Sequence, residues 1–307
     1  MLAAENRESE IWAIGGGKGG TGKSFLISSM ATYLATKGKK VVLVDGDLGG
    51  ANLHTFLGVE KPKGSLTDFF EKRGLLSEFV VDSGITNLGL LIGAIHSPSA
   101  GSIGHAQKQK LFRHIKKLNA DYVLIDLGAG AHFNTIDTFL LADKMIVAVV
   151  PEITAIENMY YFLKSVFFRK LVLASHDMKD IFRQSWERRA EHHIANLRQL
   201  IDYLRGISPD LECLLNSELA HFTVHIILNQ VRSSQDVKIG NALKSICIKH
   251  FGLHAQYVGY VEYDEFVPKC INKRVPYMQA YPASRCAREI EKLTDNLLEG
   301  RYVRMKI

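Results

Sequence analysis

Two lysines and a serine stand in one glycine-rich stretch, Gly17-Lys18-Gly19-Gly20-Thr21-Gly22-Lys23-Ser24. Its spacing from Gly17 to Ser24 is GxxxxGK followed by Ser or Thr, the pattern of a phosphate-binding loop. Glycines let the backbone curl until successive N–H groups point at one anion. A helix opening at the end of such a loop adds the partial positive charge of its N-terminus. A lysine placed as Lys23 reaches the β- and γ-phosphates of a bound nucleotide, and a hydroxyl placed as Ser24 holds Mg²⁺. The surroundings suit the motif: the apolar run Ile11–Ile14 precedes it and a helical pattern, Phe25 to Lys37, follows.

Carboxylates complete the set. Val41 to Asp47 reads Val-Val-Leu-Val-Asp-Gly-Asp, an apolar run ending in Asp45 and Asp47. Tyr122 to Gly130 reads Tyr-Val-Leu-Ile-Asp-Leu-Gly-Ala-Gly, a Walker B pattern that delivers Asp126. In open parallel sheets, ligands bind at the carboxyl ends of the strands, where these residues would lie. One carboxylate there can bind Mg²⁺ through water, and another can orient an attacking water. Asp126 is expected in the Mg²⁺ shell. Away from a phosphate loop, Asp45 and Asp47 would also read as strand-end caps.

Lys18 is not required by an ordinary phosphate loop. With it, the stretch resembles the deviant Walker A superfamily of MinD, ParA and related ATPases, whose pattern is KGGxGK followed by Ser or Thr. The MinD and FlhG group is the nearest branch, on the strength of Gly49 to Leu53. The resemblance covers most of the chain outside about 160–222 and implies a P-loop NTPase fold of the SIMIBI type, with ATP and Mg²⁺ as ligands. It implies an ATP-dependent homodimer in which Lys18 touches the partner subunit's nucleotide. By the same likeness, Asp45 lies near Mg²⁺, Asp47 positions the nucleophilic water, and Asn52 helps orient that water or the γ-phosphate. The superfamily's second switch reads Asp, any residue, two positions of Pro or Ala, then Gly. Asp126, Ala129 and Gly130 fit it; Gly128 departs, which bears on the hydrolysis rate more than on nucleotide binding. Asn229, in Leu228-Asn229-Gln230, matches a position that often contacts adenine, and reads as well as a turn cap.

These residues need a sheet to hold them. Ile11–Ile14, Val41–Val44, Leu88–Ile92, Tyr122–Ile125, Met145–Val150, His225–Leu228 and Gln256–Val261 are short, β-branched and nearly continuous in apolar character. That pattern suits strands buried on both faces. Helical patterns lie between them: Gln107–Leu118, with Leu111, Ile115 and Leu118 on one face, and Cys286, Ile290, Leu293 and Leu297 near the end. The expected architecture is a doubly wound α/β fold, a mainly parallel sheet of seven or eight strands in one domain spanning 1–307. A helical insertion is expected at about 160–222, where Ala190, Ile194, Leu197, Ile201 and Leu204 mark an amphipathic helix. The adjacent His192 and His193 fall off its apolar stripe; a solvated face is expected there, with a metal site as the alternative.

Bulk properties remove other classes. Of 307 residues, 47% are hydrophobic and 23% charged, which argues against wholesale disorder. Cys213, Cys247, Cys270 and Cys286 form no CxxC pair, so zinc and iron–sulfur centres have little support. Met1–Glu10 is acidic without an apolar run, and no membrane span is visible. A cytoplasmic protein is expected, peripheral on the inner face of the membrane if its basic, apolar tail Leu297–Ile307 meets anionic lipid. A net charge of +6 permits such a surface or DNA without demanding either. The alternatives are a ParA-like partner of DNA, through Lys108, Lys110, Arg113, Lys116 and Lys117, and an ATP-dependent amidoligase or synthetase. A cargo or activator protein is expected in the positioning reading.

Overall fold

The computed structural model describes residues 8–47, 50, 52–60, 64–71, 74–93, 105–175 and 179–302. Its strands are β1 (Glu10–Gly15), β2 (Val41–Asp45), β3 (Val81–Asp82), β4 (Leu88–Leu91), β5 (Tyr122–Asp126), β6 (Lys144–Val149), β7 (Thr223–Val231) and β8 (His254–Glu262). They form one eight-stranded sheet in the order β3-β4-β2-β5-β1-β6-β7-β8. All neighbours are parallel except β3 against β4. The expected apolar runs are therefore all strands. β3, only two residues long and partly exposed, has no apolar run that would have disclosed it.

The helices are α1 (Lys23–Thr36), α2 (Leu53–Phe56), α3 (Leu66–Glu71), α4 (His105–Ile115), α5 (Phe133–Phe139), α6 (Ile153–Ala174), α7 (Lys179–Glu187), α8 (Leu197–Arg205), α9 (Pro209–Ala220), α10 (Ser234–Ile246), α11 (Phe266–Lys273), α12 (Tyr277–Ala280) and α13 (Arg285–Glu299). They cover both sheet faces, and the strand sequence explains how. In β1, Ile11 and Ala13 join a core shared with α4 to α10, while Trp12 and Ile14 join one shared with α1 and α13. β2, β5 and β6 alternate in the same way. A strand whose successive side chains enter two cores must be apolar throughout. α1 shows the matching logic, buried along nearly its whole length between sheet and α13.

Between β6 and β7 the described chain runs through four helices, α6 to α9. α6 is an ordinary crossover helix, burying Ala155, Met159, Phe162, Leu163 and Val166. The additional helices are α7, α8 and α9, which pack through Phe182, Leu200, Leu204 and Leu215. The helix expected from Ala190 to Leu204 starts only at Leu197. Asn196 caps it by accepting from the Gln199 N–H at 3.0 Å, and His193 before it adopts φ +53°. Ile194 is buried from a turn, which kept the periodicity without the helix. α4 likewise stops at Ile115, and Leu118 reaches the core from a turn. His192 and His193 are exposed, and His192 stacks on Tyr203 at 4.4 Å between ring centres. Among the described residues no cluster of His, Cys, Asp and Glu suits a metal ion by itself, and no helix is long and apolar enough to cross a membrane.

Candidate functional site

The phosphate loop connects β1 to α1, at the carboxyl edge of the sheet. Gly20 and Gly22 take φ of +79° and +84°, a region open to glycine at little cost. Gly22 caps α1 and Lys23 is its first residue, so the free N–H groups of the helix face the loop. Crowding also selects glycine here. A Cβ on Gly17 would lie 2.0 Å from the Asn158 carbonyl oxygen of α6, and one on Gly22 would lie 2.2 Å from Asn229 Nδ2.

β2 and β5 are adjacent and in register, with Asp45 opposite Asp126. Asp45 is buried and closes the segment that follows it: its carboxylate accepts from the N–H groups of Asp47 at 3.2 Å and Leu53 at 3.1 Å. Burial pushes its carboxyl up to about 6 against the pull of those bonds. Asp126 accepts a hydrogen bond from Ser24, and burial pushes it up to about 7, with Asp45 adding to the rise. Its Oδ1 is buried without a partner among the described residues, as is Thr21 Oγ1. Lys23, also buried, has its pKa lowered by burial, opposed by Asp126 and Asp47.

A buried carboxylate oxygen without a donor, beside a second buried carboxylate and a serine hydroxyl, is a donor set that fits a hard cation such as Mg²⁺. Ser24 and Asp126 would hold it, with Asp45 behind. The unpartnered Thr21 hydroxyl and the buried Lys23 fit the phosphates that would accompany it.

Other expected residues fall around this centre. Asp47 is close enough to Lys23 and Asp126 to perturb both, and its carboxylate lies close to Gly50 and Gly128. Gly130, at φ +94°, donates its N–H to the Gly16 carbonyl at 3.3 Å, tying the segment after β5 to the phosphate loop. The Asn52 amide is turned onto its own loop, donating to the Gly50 carbonyl at 2.6 Å. Leu48, Gly49 and Ala51 of this segment lie outside the described residues. Lys18 sits on the rim, where its Nζ meets Glu152 Oε2 at 2.6 Å and Thr154 Oγ1 at 3.1 Å. Asn229 is buried under the loop and donates to the Thr21 carbonyl at 2.8 Å.

Several contacts were not foreseen. Gln230, at φ +57°, donates from Nε2 to the Gly20 carbonyl at 2.9 Å, so two consecutive amides pin the loop from β7. A cavity of about 350 Å³ opens beside the loop, lined by Asn229, Gln230, Phe56, Tyr263, Asp264, Val267 and Pro268. The last four follow the carboxyl end of β8, so the rule that pointed to Asp45 and Asp126 could have found them. No sequence signal marks the Lys18–Glu152 pair, which joins residues far apart in the chain.

A family model described as the CobQ/CobB/MinD/ParA nucleotide binding domain matches residues 12–277. The antiactivator FleN of Pseudomonas aeruginosa is 24% identical over 281 residues, which is 91% of this chain and 82% of FleN. The septum site-determining protein MinD of Helicobacter pylori is 35% identical over 150 residues, 48% of this chain and 55% of that protein. The chain thus spans about half the length of the MinD sequence it matches. Among solved structures, MinD of Pyrococcus horikoshii, complexed with Mg-ADP, matches with a TM-score of 0.66 at 20% identity, covering 97% of this chain and 100% of that one. A chain of the MinC:MinD cell division protein complex of Aquifex aeolicus gives 0.65 at 21% identity, covering 97% of this chain and 99% of that one. At these identities the structural likeness speaks for the fold.

Proposed function

The chain belongs to the CobQ/CobB/MinD/ParA nucleotide-binding family, and from that premise we propose that it is an ATPase working as an ATP-dependent dimeric switch. The observation that carries this reading is the convergence of Lys23, Ser24, Asp45, Asp47 and Asp126 at the ends of β1, β2 and β5, around an unpartnered oxygen of Asp126. The base of ATP would occupy the cavity beside Asn229, and the phosphates the loop. Lys23 and the N-terminus of α1 meet the phosphate charge. Mg²⁺ supplies further neutralisation of the phosphate oxygens when bound.

Asp47 orients a water toward the γ-phosphorus. The new P–O bond forms as the bond to the β–γ bridging oxygen breaks; that electron pair leaves with ADP, and the proton released passes to solvent. Catalysis here is positioning and charge stabilisation. Lys18, already on the surface, exchanges Glu152 for the nucleotide of a second copy. ATP then favours the dimer, and hydrolysis releases it.

The family and the match to MinD, a septum site-determining protein, favour a role in spatial positioning of a cargo, with an anionic membrane surface as a candidate platform. The DNA reading is weakened at Lys110. That residue donates to the Phe69 carbonyl at 3.0 Å and lies 4.2 Å over the Phe69 ring, so packing holds it. Lys108 has no described side chain, and Val303–Ile307 of the basic tail lie outside the described residues.

Kinetics on Asp47→Ala test the reading. This variant should bind MgATP like the wild type and hydrolyse it at least about 100-fold more slowly, whereas Lys23→Ala should lose binding. Hydrolysis at the wild-type rate by Asp47→Ala would remove the role given to that carboxylate. Pelleting of Asp47→Ala with anionic liposomes in ATP but not in ADP would support the membrane platform. Protein left in the supernatant in both would discard recruitment by lipid alone.

A further inference from the structure

Gly128 stands where the second switch of the resembling superfamily carries Pro or Ala. Its φ lies outside the left-handed region, so the backbone does not demand glycine there. A side chain there would instead press on a neighbouring side chain. A Cβ on Gly128 would lie 3.1 Å from Cγ of Asp47 and 3.2 Å from each of its carboxylate oxygens, and these are its three nearest neighbours. A Cβ on Gly50 would also meet this carboxylate, with Oδ2 at 3.4 Å and Cγ at 3.6 Å. The carboxylate therefore lies against a glycine of its own loop and a glycine following Asp126.

We infer that Gly128 is a positioning residue for ATP hydrolysis, because its bare Cα seats the Asp47 carboxylate against the segment after β5. The inference rests on the assignment of Asp47 to the attacking water. The floor of the seat is fixed. Leu127 donates its N–H to the Ile14 carbonyl at 3.1 Å, Gly46 to the Asp126 carbonyl at 2.8 Å, and Gly130 to the Gly16 carbonyl at 3.3 Å. The β5 end is thus tied to β1, to β2's continuation and to the phosphate loop. An added methyl group would displace Asp47 rather than the strand end. Carbon contacts relax to about 3.5–4.0 Å, so the carboxylate must move by several tenths of an ångström. In-line attack is sensitive to displacements of that size. The seat also links both segments, since Asp47 reaches its place only when the chain after Asp126 is in its own.

The experiment compares Gly128→Ala, Asp47→Ala and the double variant in full-length protein. Gly128→Ala should hydrolyse ATP about tenfold more slowly and bind MgADP–aluminium fluoride, a mimic of the in-line transition state, about tenfold more weakly. Its KM for ATP and its MgADP affinity should stay at wild-type values, which also reports an intact fold. In the Asp47→Ala background, adding Gly128→Ala should not change aluminium fluoride binding. Wild-type hydrolysis by Gly128→Ala beside an inactive Asp47→Ala overturns the seat and leaves the role of Asp47 standing. Loss of MgADP binding by Gly128→Ala, or a further loss in the double variant, also overturns it, because Gly128 would then act without Asp47. Wild-type hydrolysis by Asp47→Ala removes the underlying assignment and the seat with it.

Discussion

Gly22 combines two constraints that separate a phosphate loop from a glycine-rich turn. Its φ of +84° disfavours any side chain, and the space beside its Cα is filled by Asn229 Nδ2 at 2.2 Å from a would-be Cβ. The strain of an L-residue there is about 1–2 kcal/mol, and the collision adds to it. Gly22→Ala should therefore bind nucleotide at least about tenfold more weakly. Titration with a fluorescent ATP analogue measures this, and an unchanged circular dichroism spectrum would show that the loss is local. Binding at wild-type strength would mean that the loop and Asn229 separate freely. At this scale much of the candidate site was legible. Gly17 to Ser24, Asp45, Asp47 and Asp126 announce themselves because their chemistry depends on residue type and short spacing. Gln230 and Glu152 did not, because each acts on a loop far away in sequence. The sequence marked Gly128 only as a departure that bears on the hydrolysis rate, with no physical reason. The contact with Asp47 gives it a steric reason instead.

β7 illustrates what an element does beyond burying apolar surface. Its far end holds the phosphate loop through Asn229 and Gln230. Its near end buries His225, whose Nδ1 lacks a partner among the described residues and whose ring stacks on Tyr302 at 5.6 Å. Burial, helped by Lys144, pushes the pKa of this imidazole down to about 4 from 6.5. The unfolded chain then binds the proton more readily than the folded one. The stability this group contributes is full above pH 6.5 and is lost as the pH falls toward 4, by about 3 kcal/mol at most. His225→Phe should flatten that limb of a denaturation series between pH 7 and about 4. An unaltered slope would assign the acid sensitivity to other groups. Strands were legible because two cores demand unbroken apolar runs, and α13 because Ser284 caps a clean stripe from Cys286 to Leu297. The boundaries of α4 and α8 were not, since buried turn residues such as Leu118 and Ile194 extend the helical period past the helix.

At the scale of the whole molecule, the centre is built at one edge of the sheet, with the phosphate loop at its middle and Lys18 on the rim. Lys18 is held at the surface by Glu152 and Thr154. In the proposed dimer it acts on the nucleotide of the second copy. Sedimentation velocity on Asp47→Ala, in which the proposed slowing of hydrolysis keeps ATP in the site, tests this most directly. With MgATP the protein should sediment at twice its 34.3 kDa mass, and with MgADP at the monomer mass. Lys18→Ala in the same background should remain monomeric in both. A monomer in MgATP, or a dimer that forms equally without nucleotide, would contradict the ATP-dependent switch.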